Sequence, residues 1–265
     1  MNRLGIPVVY SGAEQEVAMD PVLSPALMRS LEIYRNSPQR DAALDAFYSA
    51  FVKPGDLVFD IGAHVGDRTA CFRRLGAKVV ALEPQAECAA LLRREAAGAE
   101  NVVIVEAAAG AVCGKDMLYC NSDNPTVTTL SDRFIAAAAG SVGWEGQSWD
   151  LRREVAVVTL DSLIAQYGVP DFIKIDIEGH EHEALKGLFC VVSNLSFEFT
   201  TIQKDVALQC IDRLYEIGFR QFRSSLGESL AFVQDQPLDR NSIVKWIEQL
   251  PMEANSGDIY ASPPR

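Results

Sequence analysis

Cysteine pairs, long apolar runs and an excess of base are all missing from this sequence, and each absence closes a class of function. The six cysteines, at 71, 88, 113, 120, 190 and 210, include no CxxC pair. That spacing fits neither a zinc ligand set nor the dense disulfide framework of a small secreted domain. Reduced thiols in a cytoplasm are therefore expected. No run approaches the ~20 apolar residues that a membrane span needs, and residues 1–10 lack the basic-then-apolar order of a signal peptide. With 24 Lys+Arg against 36 Asp+Glu the net charge is −12, the wrong sign for a protein that simply grips nucleic acid. A macromolecular substrate reached through a local patch stays open. GxGxxG and internal repeats are also missing, so the pyrophosphate cradle of a dinucleotide site has little support.

What is present is an ordinary globular composition, 48% hydrophobic and 23% charged over 265 residues, which suits one α/β domain with added elements. Five apolar runs, at 57–60, 78–83, 102–106, 172–176 and 195–198, end on the carboxylates Asp60, Glu83, Glu106, Asp176 and Glu198. In an open parallel sheet, ligands bind at the carboxyl ends of strands, near the point where strand order reverses. Acidic groups around such a crevice suit a cationic or hydroxyl-rich ligand. The alternative is that each merely caps the helix that follows.

Residues 1–20 show no period and read as a loose arm. Ser24-Pro25 is a helix start, a second helix is expected over 40–51, and Pro54-Gly55 opens the first strand. From there strands at 57–61, 78–82 and 102–105 alternate with helices near 68–75 and 86–97, the βαβαβ rhythm of a parallel sheet. The stretch 110–158 breaks the rhythm. It suggests a hairpin of 117–120 with 126–130, followed by an irregular lid-like segment containing two tryptophans. The sheet resumes with a strand at 171–177, a helix at 181–188, a strand at 195–199 and an amphipathic helix over 205–217 ended by Gly218. Strands at 219–224 and 229–234 then complete the core, 242–250 forms a last helix, and the tail from Pro251 frays.

Three motifs carry chemistry. In the first, Val58-Phe59-Asp60-Ile61-Gly62-Ala63-His64-Val65-Gly66, a strand enters a glycine turn and then a helix, and both glycines let the backbone approach a ligand. The second is Leu82-Glu83-Pro84. A carboxylate about 20 positions beyond the glycine turn accepts hydrogen bonds from both hydroxyls of a ribose. The third, 173–183, alternates isoleucines with Lys174, Asp176 and Glu178 and continues through Gly179, His180, Glu181, His182 and Glu183. Lys174 inside a central strand needs a partner, and Asp176 or a neighbouring carboxylate supplies it. All three histidines lie in motifs one and three. His180 is the candidate general base, with a hydrogen-bonding or surface role as the alternative, and His182 is less well placed. A metal held by Asp176, Glu178 and a histidine is chemically conceivable, but a metal-free site is expected.

In order and spacing, "VFDIGAHVGDRT", "ALEPQ", "TLDSL" and "FIKIDIEGHEHEALKG" resemble the FkbM-type S-adenosylmethionine-dependent methyltransferases across about residues 45–225. The resemblance implies a Rossmann-like class I methyltransferase fold, an α/β architecture with a mostly parallel central sheet and helices on both faces. N-terminal helices and an inserted hairpin or lid would be added to it. It implies S-adenosyl-L-methionine as cofactor. Asp60, Gly62, Ala63 and Gly66 would wrap its methionine and ribose, with Glu83 and Pro84 at the ribose hydroxyls. Ala107, within 106–108, would border the adenine. Asp176 would lie beside the methyl-donor end, with Glu178 and His180 facing the acceptor. Carboxylates at strand ends suit a sulfonium and an ammonium electrostatically. The family often carries a His after the fifth strand's Glu. Here Glu198 is followed by Phe199-Thr200, so the resemblance supports no acceptor contact at that point.

The domains expected are a helical extension over 1–53 acting as cap or lid, a catalytic domain over 54–240 with 110–158 as a substrate-side insert, and a C-terminal helix and tail over 241–265. The leading expectation is O-methylation of a hydroxyl on a sugar, polyketide or other natural product. The partner expected is that small molecule, with no nucleic acid and no membrane, and with a homodimer allowed. A nicotinamide-dependent oxidoreductase and a catalytically silent nucleoside-binding module are the alternatives. The missing GxGxxG counts against the first, and the polar density at 174–182 against the second.

Overall fold

The computed structural model describes residues 23–35 and 37–264; the expected loose arm at 1–20 lies outside them. In chain order its elements begin with α1 (Pro25–Arg35), α2 (Pro38–Tyr48), β1 (Leu57–Ile61), α3 (Asp67–Arg74), β2 (Lys78–Leu82), α4 (Ala86–Glu95) and β3 (Val102–Val105). The insert follows as β4 (Ala108–Ala109), β5 (Gly114–Cys120), α5 (Asp132–Ala138) and β6 (Leu151–Val158). The chain then runs through α6 (Leu160–Tyr167), β7 (Phe172–Ile175), α7 (Glu181–Lys186), β8 (Asn194–Thr200), α8 (Lys204–Ile217), β9 (Gln221–Leu226), α9 (Arg240–Gln249) and β10 (Ser256–Ser262).

Seven strands form the main sheet in the order β3-β2-β1-β7-β8-β10-β9. β3, β2, β1, β7 and β8 are parallel to their neighbours, and β10 runs antiparallel between β8 and β9. This is the Rossmann-like class I arrangement, and its strand order reverses between β1 and β7. Because successive side chains point to opposite faces, Phe59, Ile61, Ile173, Ile175 and Phe197 enter one core, under α6–α9. Val58, Phe172 and Tyr260 enter the other, under α2–α4. On that second face the strand ends carry Asp60, Lys174 and Glu198 in place of apolar residues, which places the polar groups where the sheet meets solvent. Helix α1 starts as expected, with Ser24 Oγ accepting from Leu27 N at 3.2 Å. It packs Leu27 against Val65, Cys88 and Leu91.

Three expectations are corrected. Residues 117–120 do not form a hairpin with 126–130. β5 pairs antiparallel with β6, from Gly114↔Val157 to Cys120↔Leu151, and only an isolated Tyr119↔Thr129 bridge remains of the expected hairpin. No strand forms at 229–234. Instead the tail expected to fray provides β10, with Ile259 fully buried and Tyr260 nearly so. Residues 256–262 thus belong to the same sheet as the strands of the 54–240 region.

Candidate active site

A cleft opens at the carboxyl ends of β1, β2, β7 and β8, where the strand order reverses, as expected of an open α/β sheet. Of the five strand-end carboxylates, Asp60, Glu83, Asp176 and Glu198 line it. Glu106 does not; it forms an ion pair with Arg93 at 2.8 Å on the outside of the sheet.

Glu83 is 2% exposed, and both of its oxygens are engaged by the backbone. Oε2 accepts from His64 N at 2.8 Å and Oε1 from Gln85 N at 2.9 Å. Burial pushes its carboxyl up to about 7, against the lowering effect of those amide donors. Each oxygen keeps a lone pair for a vicinal diol in the cleft. Beyond it Pro84, Leu82, Ala107, Ala108, Ala109 and Leu118 form an apolar wall, suited to a flat heteroaromatic ring.

Gly62 has a packing role beside the one its motif suggests. Its φ is +84°, and a Cβ there would stand 1.8 Å from the Asp176 carbonyl oxygen. The glycine therefore lets the β1 turn press against the end of β7 while its backbone lines the cleft. Gly66 lies away from the cleft. It is the α3 N-cap at φ +77°, its carbonyl accepts from Arg35 at 2.8 Å, and a Cβ would strike Leu92. Asp60, Gly62 and Ala63 do line the cleft.

At the cleft floor, Asp60 accepts from Thr69 Oγ1 at 2.5 Å. Burial raises its carboxyl to about 6, opposed by Lys174 and Thr69. Lys174 is 2% exposed, and its Nζ reaches Asp176 Oδ2 at 2.6 Å, the pairing its sequence position demands. Burial opposes charge on both groups, yet their mutual attraction holds Lys174 above and Asp176 below their ordinary ranges. Asp176 also shares a hydrogen bond with Glu198. Glu178, at φ +55°, completes a group in which one carboxylate oxygen from each of Asp176, Glu178 and Glu198 lies within 4.8 Å of the others. Burial first, then repulsion from Asp176, drives the Glu178 and Glu198 carboxyls far up.

His180 caps α7 and lines the same cleft, but it stands toward Gly110. Burial lowers its pKa, and the charges acting on it are Glu183, Asp116 and Lys186, none of them among the three converging carboxylates. His182 lies outside, in a groove with Lys186, Phe189 and Arg213.

Long-range packing adds residues that no local motif marks. Tyr34 from α1 packs edge-on against His64 at 5.9 Å and hydrogen-bonds Thr126. Buried His64 Nε2 has no partner among the described residues. The insert closes over the cleft through Thr128 Oγ1, which donates to Gln85 Oε1 at 3.0 Å, and Thr129 Oγ1, which donates to the Glu178 carbonyl at 2.7 Å. Glu228, past β9, joins the wall through ion pairs with Arg40 at 2.9 Å and Arg68 at 2.7 Å. Tyr34 and Glu228 carry no sequence signal. Glu198 carried one, as a strand-end carboxylate.

The family model described as Methyltransferase FkbM domain matches residues 60–225, well over half of the chain. No curated protein matches the sequence. Among solved structures, similarity extends to an O-methyltransferase from Bacillus cereus in complex with SAH, at 14% identity over 90% of each chain with a TM-score of 0.43. A precorrin-6y C5,15-methyltransferase from Geobacter metallireducens shows 12% identity over 87% of this chain and 91% of that one, TM-score 0.43. A putative rRNA-methylase from Clostridium thermocellum shows 10% identity over 83% and 93%, TM-score 0.45.

Proposed function

The chain belongs to the FkbM methyltransferase family and is an S-adenosylmethionine-dependent methyltransferase, and on that premise we propose that it methylates a hydroxyl of a small molecule such as a sugar, polyketide or other natural product. The cofactor supplies, when bound, a methyl group on a positively charged sulfur. The residues present fit it: Glu83 offers a buried carboxylate to its ribose diol, and the apolar wall from Leu82 to Leu118 suits its adenine. Asp60 and Asp176 offer negative charge to its ammonium and sulfonium.

The observation that carries the hydroxyl reading is the convergence of Asp176, Glu178 and Glu198 at one end of the cleft. Carboxylates orient a hydroxyl by accepting its proton in a hydrogen bond, and they stay close as that proton becomes acidic during attack. His180, neutral because burial lowers its pKa, is a second group able to accept the proton from the same cleft. The cleft wall runs from the Glu83 side to the three converging carboxylates, with Tyr34, Thr126 and Glu228 also lining it, which supports an acceptor held beside the cofactor.

The first test is isothermal titration of the purified protein with S-adenosylhomocysteine, with NAD in parallel. Micromolar binding of the former alone is expected. It should be followed by transfer of radiolabelled methyl to hydroxyl-bearing natural products and to their amine analogues. Label appearing only on the amines would overturn the oxygen assignment, and NAD binding alone would favour the oxidoreductase.

A further inference from the structure

Buried carboxylates are normally satisfied by donors, and four acids around this cleft obey that rule. Glu83 is held by two amides. Glu181 Oε1 accepts from Ile177 N at 3.1 Å and Gly179 N at 3.2 Å. Asp60 is held by Thr69 and Asp176 by Lys174. Among the described residues, Glu198 meets only another acid, Asp176, and Glu178 meets no donor at all. Glu178 is 8% exposed, lines the cleft, and its carboxylate accepts no hydrogen bond or ion pair from any described residue. Its nearest charged groups make matters worse, since Asp176 and Glu181 repel it and only Lys174 attracts it.

We propose that Asp176, Glu178 and Glu198 form a binding site for one hard divalent cation of the magnesium or manganese kind. The donor set is all oxygen, which selects such ions over zinc or copper. Magnesium holds oxygens at ~2.0–2.1 Å, so ligands around it stand up to ~4.2 Å apart, and larger hard ions reach ~5 Å. The three ligand oxygens lie within 4.8 Å of one another, so small side-chain motions close the set, and water or an acceptor oxygen fills the remaining positions. The sequence suggested a metal-free site, with Asp176, Glu178 and a histidine as the conceivable ligands. The fold substitutes Glu198 for the histidine, because β8 lies next to β7 with Lys174↔Ser196 in register. The competing occupant is a proton shared between Asp176 and Glu198, which would satisfy those two and leave Glu178 without a partner.

The cation's part in the chemistry rests on the hydroxyl-methylation reading, in which a coordinated hydroxyl loses its proton more readily. Its binding does not, so the test reads binding. The full-length protein is titrated with MnCl₂ while free Mn²⁺ is followed by electron paramagnetic resonance, with S-adenosylhomocysteine affinity measured on the same sample. One saturable site per chain is expected, with a dissociation constant below about 1 mM, displaced by excess Mg²⁺. Glu178→Gln and Glu198→Gln should each weaken Mn²⁺ at least ~10-fold while leaving S-adenosylhomocysteine affinity within about threefold, which also shows that the variants fold. No saturable site in the wild type, or Mn²⁺ binding unchanged in both variants, would overturn the proposal. Loss of S-adenosylhomocysteine binding with Mn²⁺ binding intact would strike the methyltransferase reading and spare the cation site.

Discussion

Glu83 shows how a single side chain can be read correctly from its position and still gain from structure. The sequence placed an acid about 20 residues beyond the glycine turn. The fold adds the two amides, from His64 and Gln85, that fix its rotamer and leave it facing the cleft. Glu83→Ala removes both acceptors of a ribose diol, and each hydrogen bond to a charged group is worth ~1.5–3 kcal/mol. The dissociation constant for S-adenosylhomocysteine is therefore expected to rise at least tenfold by titration calorimetry, and an unchanged constant would remove Glu83 from the ribose site. Asp176 was equally legible, because an acid ending an apolar strand that contains a lysine implies an internal pair. Glu178 was legible as a candidate, but its lack of a partner was not. Whether a buried acid finds a donor depends on what packs against it from elsewhere in the chain.

At the scale of elements, the parallel strands and their helices were readable because their information is local: apolar runs of four or five residues, then a turn, then a helical period. The two pairings that were missed both depend on distant partners. β5 joins β6 across an intervening helix, and β10 enters the sheet after a long excursion through α9. Residues 256–262 have only three apolar side chains among polar ones, too weak a pattern to announce an interior strand. Its position makes it indispensable. A chain ended at Leu250 would expose the facing edges of β8 and β9, which invites aggregation. Such a truncation is expected to give insoluble protein or no cooperative thermal transition by circular dichroism, and a melting curve like that of the full chain would refute the pairing. The β1 turn supplies a second test. Gly62→Ala adds both left-handed strain and a Cβ overlapping the Asp176 carbonyl. A cost of about 3 kcal/mol or more is expected, lowering the melting midpoint by ~6–12 °C. Gly114→Ala, where a Cβ meets nothing within 4 Å, should leave it nearly unchanged.

Across the whole molecule, the acids gathered under the cleft set a pH dependence. Burial raises Glu83 and Glu181 to about 7, and Asp60 and Asp258 to about 6, whereas unfolded they titrate near ~4. Between those limits the folded chain holds more protons than the unfolded one. Their contribution to stability is thus complete below pH ~4 and is lost as pH rises through about 7. Asp67 runs the other way. Burial raises it, but Arg68 and Arg40 outweigh that and hold it low, so its contribution is lost only in strong acid. The melting midpoint of the ligand-free protein should therefore fall from pH 5 to pH 8. Glu181→Gln keeps an acceptor for the Ile177 and Gly179 amides and should flatten that fall. A midpoint that rises over the same interval would contradict the burial of these groups as charged or chargeable acids.

The sequence by itself determined the alternating α/β architecture, the acid-ended strands, the need of Lys174 for a carboxylate partner and the family, because each is written in residues close together along the chain. Only the tertiary structure decided that Glu106 and Gly66 stand outside the cleft, and that Tyr34 and Glu228 close it from segments far away in sequence. It also decided that Glu198 meets Asp176 and Glu178. The reason is geometric: alternation along a strand fixes which face a side chain takes, but the strand beside it is chosen by the order of the whole sheet.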